Sequence, residues 1–150
     1  MILQGFGLLA VGISETCSLY FFPMTRVAVA IIRKNGKVVL CQRKQGGRYG
    51  LKWEFPGGKV EPGETIVGCL QRELREELSI EITGVDRVES AQAHYDDGGL
   101  FEVAYCHVST FGGKIKNNVF ESVRWVSPSE LRAMDILEGN AEIVARLADA

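Results

Sequence analysis

The segment that decides the fold is residues 58–80, which read GKVEPGETIVGCLQRELREELSI. Apolar residues recur at four-residue steps through its second half, at Ile66, Leu70, Leu74 and Leu78. This spacing places them on one face of an α-helix, and Thr65 is a candidate N-cap at the start of that helix. The segment therefore predicts a helix that runs from about Thr65 to Ser79 and turns one face to a core.

Three carboxylates gather on one side of the predicted helix. Glu73 and Glu77 are about one helical turn apart beside the edge of the apolar face, and Glu76 lies one position further round. Like charges at this spacing repel each other, so the helix needs a compensating cation. That cation is either a hard divalent metal such as Mg²⁺, for which carboxylates and substrate phosphates are ordinary ligands, or the guanidinium groups of Arg72 and Arg75. Mn²⁺ has similar ligand preferences.

The fixed positions of this segment resemble the Nudix box, which reads G-x5-E-x7-R-E-U-x-E-E-x-G-U with U apolar. Gly58 and Glu64 match its first two fixed positions, and the run RELREE at 72–77, followed by Ile80, matches the rest. Ser79 alone departs from the pattern, because it stands where the family has glycine. Glycine suits the left-handed backbone that commonly ends a helix, so we expect Ser79 to cost some stability without removing a ligand.

The resemblance continues into WEFPGGK at residues 53–59, which is similar to the approach to the box in the MutT-like branch of the family. It implies an α/β (α+β) fold, an α/β/α sandwich around a mixed β-sheet. It also implies Mg²⁺-dependent cleavage of a nucleoside triphosphate, such as 8-oxo-dGTP, to the monophosphate and pyrophosphate. CTP analogues, ADP-ribose and dinucleoside polyphosphates stay open as substrates. A Nudix domain that only binds nucleotides is a further alternative, but such domains usually lose box glutamates.

The resemblance implies a role for each box residue. Glu73 and Glu77 would be the main metal ligands, together with the Gly57 carbonyl, and Glu76 would bind the metal directly or through water. Either Glu73 or Glu76 would take a proton from the attacking water. An ion pair between Glu64 and Arg72 would brace the preceding loop against the helix and hold Glu73 in place. These two residues therefore belong to the catalytic group in a supporting role.

Residues outside the box complete the predicted site. Arg43 and Lys59 are candidates for phosphate contacts, with solvated surface charges as the alternative. Asn140 either reads the edge of a base through its amide or is an N-cap of the last helix. Glu121 is either a further metal ligand or an ordinary surface residue. Tyr95 and Phe101 stack on a base or pack in the core, of which core packing is the ordinary reading.

The rest of the chain predicts a mixed sheet with two more helices. Asn35-Gly36 is a typical two-residue hairpin turn, while Pro56–Gly58 is expected to stop the preceding strand and Phe111–Gly113 to turn the chain. The predicted strands lie at 26–33, 37–43, 53–55, 81–93, 100–109 and 122–126. The predicted helices begin after Ser127, which has Pro and Glu in capping-box positions, and at Ala141.

Composition limits the classes of protein that remain. A hydrophobic fraction of 46% in 150 residues is typical of one globular domain, and a net charge of −2 excludes a general basic surface for nucleic acid. Four cysteines without a C-x-x-C pair indicate free thiols and a cytoplasmic setting.

The N-terminal segment is set apart from the expected domain. Residues 1–23 contain no Lys or Arg, and their apolar run is too short to span a membrane. We expect the domain to be residues 24–150, starting at Met24, and the first 23 residues to be a leader or an extra strand. The partner is expected to be a nucleotide, with no nucleic-acid polymer or membrane, on a monomer or homodimer.

Overall fold

The structure is a computed structural model that describes residues 24–96 and 98–149. The expectation for residues 1–23 and the predicted free thiol of Cys17 lie outside the described residues. Within the described part, Cys41, Cys69 and Cys106 are buried free thiols, as predicted. No helix in that part is long and apolar enough to cross a membrane.

The described residues form seven strands, three α-helices and one short 3₁₀ turn. The strands are β1 Thr25–Lys34, β2 Lys37–Gln42, β3 Trp53–Glu54, β4 Gly57–Lys59, β5 Glu81–His94, β6 Leu100–Gly112 and β7 Ser122–Val126. The helices are α1 Ile66–Leu78, α2 Pro128–Leu131 and α3 Ala141–Ala148, and the 3₁₀ turn is Glu138–Asn140.

Strand β1 is central to the sheet. The main path through the sheet is β3-β2-β1-β6-β5, while β4 pairs with β1 and β7 pairs with β2. β1 and β6 run parallel over eight paired residues, whereas β1 is antiparallel to both β2 and β4. The predicted mixed sheet is therefore confirmed.

The two faces of the sheet carry separate cores, as an α/β/α sandwich requires. Successive side chains of a strand point to opposite faces. Ala28 and Ile32 of β1 accordingly pack with the apolar face of α1, whereas Val29 and Ile31 pack with α3. A strand buried on both faces must be apolar throughout, which explains the run VAVAII in β1.

Local signals set the ends of the elements near the site. The Thr65 side chain accepts a hydrogen bond from the Gly68 amide at 3.0 Å, so it caps α1 as predicted. Ser79 ends the helix in the left-handed conformation, with φ 57°. Asn35 and Gly36 also have positive φ, as a tight hairpin turn requires.

Two predicted interruptions are confirmed only in part: β3 ends before Pro56 and Gly113 has a positive φ, but their neighbours lie in strands. Gly57 and Gly58 belong to β4 and pair with β1, because glycine here permits close approach rather than a turn. A Cβ atom on Gly57 would lie 2.1 Å from the Ala28 carbonyl oxygen. Phe111 and Gly112 continue β6, since β5 extends far enough to pair with both of them.

Candidate active site

A cleft of about 460 Å³ lies where β4, the end of α1, the loop after β2 and the 3₁₀ turn meet. It is lined by Gly58 and Glu77 from the box and by Gly57 directly before it. Asn140 lines the same cleft from the 3₁₀ turn. Residues that lie far apart in the sequence thus share one concave surface, which is the usual form of a small-molecule site.

Glu77 is a cleft carboxylate whose pKa is strongly shifted by its surroundings. Its Oε2 accepts a hydrogen bond from the Gly57 amide at 3.0 Å. The pKa of Glu77 is raised to about 8, chiefly by burial and also by the nearby carboxylates of Glu73 and Glu54, while the hydrogen bond from the Gly57 amide lowers it. A cation bound beside Glu77 would stabilise its charged form.

Glu73 lies directly against β4. A Cβ atom on Gly58 would come within 2.2 Å of the Glu73 carboxylate oxygen Oε1, so any larger residue at this position would displace the carboxylate. Glu76, in contrast, is exposed to solvent. The structure therefore brings Glu73 and Glu77 to the β4 backbone and leaves Glu76 exposed, and of these three carboxylates Glu77 alone lines the cleft.

Arg72 connects the loop before α1 to the helix. Its guanidinium donates to both oxygens of Glu64, at 2.9 Å each, and to Oε1 of Glu73 at 2.6 Å. A fourth hydrogen bond reaches the Lys59 carbonyl at 3.1 Å. The Arg72 hydrogen bonds, with help from the Glu61 amide, lower the pKa of Glu64 to about 2. The contact between Glu64 and Arg72 that the sequence predicts is present.

The donor set fits a divalent metal that shares its ligands with a substrate. In residues 24–96 and 98–149, no three carboxylate, histidine or cysteine side chains lie close enough to hold a metal by themselves. Mg²⁺ is usually bound by one or two carboxylates together with substrate phosphates and water, so an all-protein cage is not required. Glu73 and Glu77, both half-buried, supply oxygen ligands of this kind.

Glu121 is not brought to the cleft wall. Its side chain is exposed, and its backbone amide donates to the Gln42 carbonyl at 2.9 Å. The two residues before it, Val119 and Phe120, line the cleft instead. The Asn117 side chain holds Phe120 there, because it accepts from the Phe120 amide and donates to the Phe120 carbonyl.

Arg43 and Lys59 both line the cleft, but Arg43 is held by protein groups. Its Nη1 donates to both carboxylate oxygens of Glu54, at 2.8 and 3.0 Å, and its Nε donates to the Arg48 carbonyl. Burial raises the pKa of Glu54, and the charge and hydrogen bonds of Arg43 lower it. The sequence analysis missed Glu54, although it stands within the WEFPGGK stretch.

Asn140 occupies the N-cap position of α3, but its side chain makes no capping hydrogen bond. The residue is 6% exposed, and its Oδ1 has no hydrogen-bond partner within the described part of the chain. A buried amide oxygen without a partner is costly unless a ligand satisfies it. The side chain lines the cleft with this oxygen unsatisfied.

Aromatic side chains form part of the cleft wall beside Asn140. Tyr95 and Phe101 lie there in edge-to-face contact with ring centroids 5.2 Å apart, so both belong to the cleft as well as to the packing. The sequence analysis missed Tyr49, whose ring centroid lies 5.3 Å from that of Tyr95. Its φ of 55° is uncommon for a bulky residue and could not be read from the sequence.

Comparisons with known proteins agree with this geometry. A family profile described as the NUDIX domain matches residues 23–147. A CTP pyrophosphohydrolase of Escherichia coli is 43% identical over 108 residues, which cover 71% of this chain and 78% of that protein. An 8-oxo-dGTP diphosphatase of Haemophilus influenzae is 32% identical over 123 residues, which cover 81% of this chain and 90% of that protein. The solution structure of the E. coli ORF135 protein superposes with a TM-score of 0.71 at 35% identity, covering 81% of this chain and 86% of that one.

Proposed function

This chain belongs to the Nudix family, in its MutT-like branch, and on that premise we propose that it is a nucleoside triphosphate pyrophosphohydrolase. In this reaction, water adds to a phosphorus atom of the triphosphate and the bond to the bridging oxygen breaks. The products are a nucleoside monophosphate and pyrophosphate. The two products and the proton that is released account for all the atoms of the nucleotide and the water.

The observation that carries the proposal is the lining of one cleft by Glu77 and Asn140. The carboxylate belongs to the acidic box, where a metal and phosphates are expected. The amide belongs to the 3₁₀ turn, where its unsatisfied Oδ1 can meet the polar edge of a base. A nucleotide is a ligand that combines a polyphosphate with such an edge, so its chemistry matches the cleft.

The metal ligands in this proposal are Glu73, Glu77 and the Gly57 carbonyl, with Glu76 bound directly or through water. Mg²⁺ is the expected ion, and Mn²⁺ is its substitute. When bound, the ion neutralises phosphate charge and lowers the pKa of a bound water. Glu121 stays a weaker proposal as a further ligand, because its exposed side chain is outside the cleft lining.

The remaining roles follow from position. Glu73 or Glu76 accepts the proton of the attacking water, and the exposed Glu76 has the freer path to solvent. Arg72, held by Glu64, fixes the Glu73 carboxylate. Lys59 and Arg43 offer positive charge to the phosphates, although Arg43 has to share its guanidinium with Glu54.

Analysis of the reaction products of a nucleotide panel tests the proposed function. The panel contains CTP, dCTP, 8-oxo-dGTP, dGTP, ADP-ribose and a dinucleoside polyphosphate, each incubated with Mg²⁺ and separated by ion-exchange chromatography. We expect at least one triphosphate to give its monophosphate and pyrophosphate. Release of single phosphates with a diphosphate product, or turnover of ADP-ribose alone, would contradict the proposal. Nucleotide binding without any turnover would instead support the non-catalytic alternative.

A further inference from the structure

Two tyrosine hydroxyls hold the backbone of Gly139, the residue before Asn140. The Tyr105 hydroxyl donates a hydrogen bond to the Gly139 carbonyl. The Gly139 backbone also makes a hydrogen bond with the Tyr95 hydroxyl. Burial raises the pKa of Tyr95, and this hydrogen bond lowers it. We call Tyr95, Tyr105 and Gly139 together the tyrosine clamp.

The clamp is closely packed. A Cβ atom on Gly139 would lie 2.2 Å from the Tyr95 hydroxyl oxygen and 3.3 Å from the Ala93 Cβ, so the contact requires glycine. Tyr105 is only 3% exposed, and burial raises its pKa to about 12. Its hydroxyl therefore stays protonated at neutral pH and remains a hydrogen-bond donor.

The clamp acts on a turn that is also fixed elsewhere. The Leu137 amide donates to the Trp53 carbonyl at 2.8 Å, and the Asn140 amide donates to the Leu137 carbonyl at 2.8 Å. The Asn140 N–H and the Gly139 carbonyl belong to one planar peptide group, so Leu137 holds this group on one side and the partner of the carbonyl holds it on the other. The Gly139 carbonyl belongs to this peptide group, and its partner is Tyr105.

We propose that Tyr105 is a positioning residue for nucleobase selectivity, acting through the Gly139–Asn140 peptide on the Asn140 amide. This inference rests on the proposed function, since it assumes that Asn140 meets a base. Tyr105 does not line the cleft, so it does not need to touch the substrate itself. Tyr95 lines the cleft and also belongs to the clamp, which couples the aromatic wall to the same turn.

The purely structural alternative is that Tyr105 only satisfies a buried carbonyl. In that case the loss of its hydroxyl would lower stability and weaken the binding of all nucleotides equally. In our proposal the loss changes discrimination between bases. The structural alternative and our proposal therefore predict different ratios between the affinities for different nucleotides. A uniform loss of stability does not alter this ratio.

Isothermal titration with the nucleoside monophosphates CMP, GMP and 8-oxo-dGMP measures this ratio without requiring turnover. For Tyr105→Phe, we expect the ratio between the tightest and the weakest Kd to fall by roughly two- to tenfold, the range for one lost hydrogen bond. Thr83→Val is the matched control, because it removes one hydroxyl bond between β5 and β6, to Thr110 at 2.9 Å. We expect the control to keep the wild-type ratio.

A double variant tests whether Tyr105 acts through Asn140. In an Asn140→Ala background, Tyr105→Phe should leave the Kd ratio unchanged. A fall in that ratio as large as the one that Tyr105→Phe causes in the wild-type background would overturn the proposal. An unchanged ratio in the single variant, or equal affinity of the wild type for all three ligands, would overturn it too. If Tyr105→Phe does not fold by circular dichroism, Tyr95→Phe replaces it in the same comparison. Failure of the proposed function is seen separately, as the absence of triphosphate turnover by the wild type.

Discussion

Arg72 donates to both carboxylate oxygens of Glu64 at 2.9 Å each, and the same guanidinium reaches the Glu73 carboxylate. Glu64 belongs to the loop before α1, whereas Glu73 lies on the helix beside Gly58. A single planar group therefore fixes the loop and a proposed metal ligand together. Arginine suits this task because its donors are rigidly spaced.

Arg72→Lys should lower kcat about 10- to 100-fold, the usual effect of losing a residue that orients a metal ligand. Lysine keeps the charge, but its ammonium group cannot hold both oxygens of Glu64 and still reach Glu73 in the same geometry. The measurement is kcat for pyrophosphate release. Arg75→Lys is the control, since Arg75 lies on the same helix as Arg72 but pairs with the exposed Glu81 of β5. A normal rate for Arg72→Lys, or an equal loss in both variants, would contradict the role of Arg72.

Acid should remove the stabilising effect of Glu64. The pKa of Glu64 is about 2 in the folded protein against an ordinary value of 4.5, so the folded state favours the charged form. Its contribution to stability is complete above pH 4.5 and is lost as the pH falls from there towards 2. Thermal melts should show Glu64→Gln below the wild type in Tm at neutral pH.

The difference in Tm between the wild type and Glu64→Gln should shrink as the pH falls through this window. In an Arg72→Met background the same comparison should show little difference at any pH, because Arg72 is the main cause of the shift. A difference in Tm that stays constant down to pH 2 would contradict the assignment.

Ser79 should carry a backbone cost and a compensating hydrogen bond. The left-handed conformation costs a non-glycine residue about 1 kcal/mol. The Ser79 hydroxyl accepts from the Asn118 side chain at 2.9 Å, and Asn118 also donates to the Glu76 carbonyl. Ser79→Ala loses the bond and keeps the strain, while Ser79→Gly loses the bond and relieves the strain.

Chemical denaturation of these two variants separates the two contributions. We expect Ser79→Ala to lower the free energy of unfolding by about 1 kcal/mol, the value of one hydrogen bond. Ser79→Gly should stay within about 1 kcal/mol of the wild type and above the alanine variant. Glycine less stable than alanine at this position would contradict the strain argument. Both variants should keep the wild-type kcat, since neither change touches a proposed ligand.

The sequence was sufficient for elements whose signals are local. The apolar spacing and Thr65 predict α1, and Asn35-Gly36 predicts the first hairpin, because these features depend on neighbouring residues. The box pattern likewise predicts the contact between Glu64 and Arg72. The structural role of a glycine could not be predicted from the sequence, because glycine occurs both in turns and where two backbones approach closely. Gly57 permits the close approach of β4 to β1.

Contacts between distant segments could not be predicted in the same way. Glu54 meets Arg43 only because β3 pairs with β2, and a pairing register is not visible in either strand alone. Tyr105 reaches Gly139 across 34 positions. The unsatisfied Oδ1 of Asn140 required coordinates, since the sequence allowed both a cap and a cleft residue.

Glu73→Gln should lower kcat by orders of magnitude and leave the fold intact. The amide keeps the size of the side chain, but it removes the charge that a hard cation requires from its ligand. Glu81→Gln is the matched control, because it neutralises an exposed glutamate outside the cleft. A nearly normal rate for Glu73→Gln, together with a normal circular dichroism spectrum, would show that the metal assignment is wrong.

The most direct test of the central claim is the metal dependence of pyrophosphate release from CTP or 8-oxo-dGTP by the wild-type protein. The rate is measured with Mg²⁺, after addition of EDTA, and again after excess Mg²⁺ is restored. Our account predicts turnover with Mg²⁺, its loss in EDTA and its recovery when Mg²⁺ returns. Turnover that continues unchanged in EDTA would contradict it.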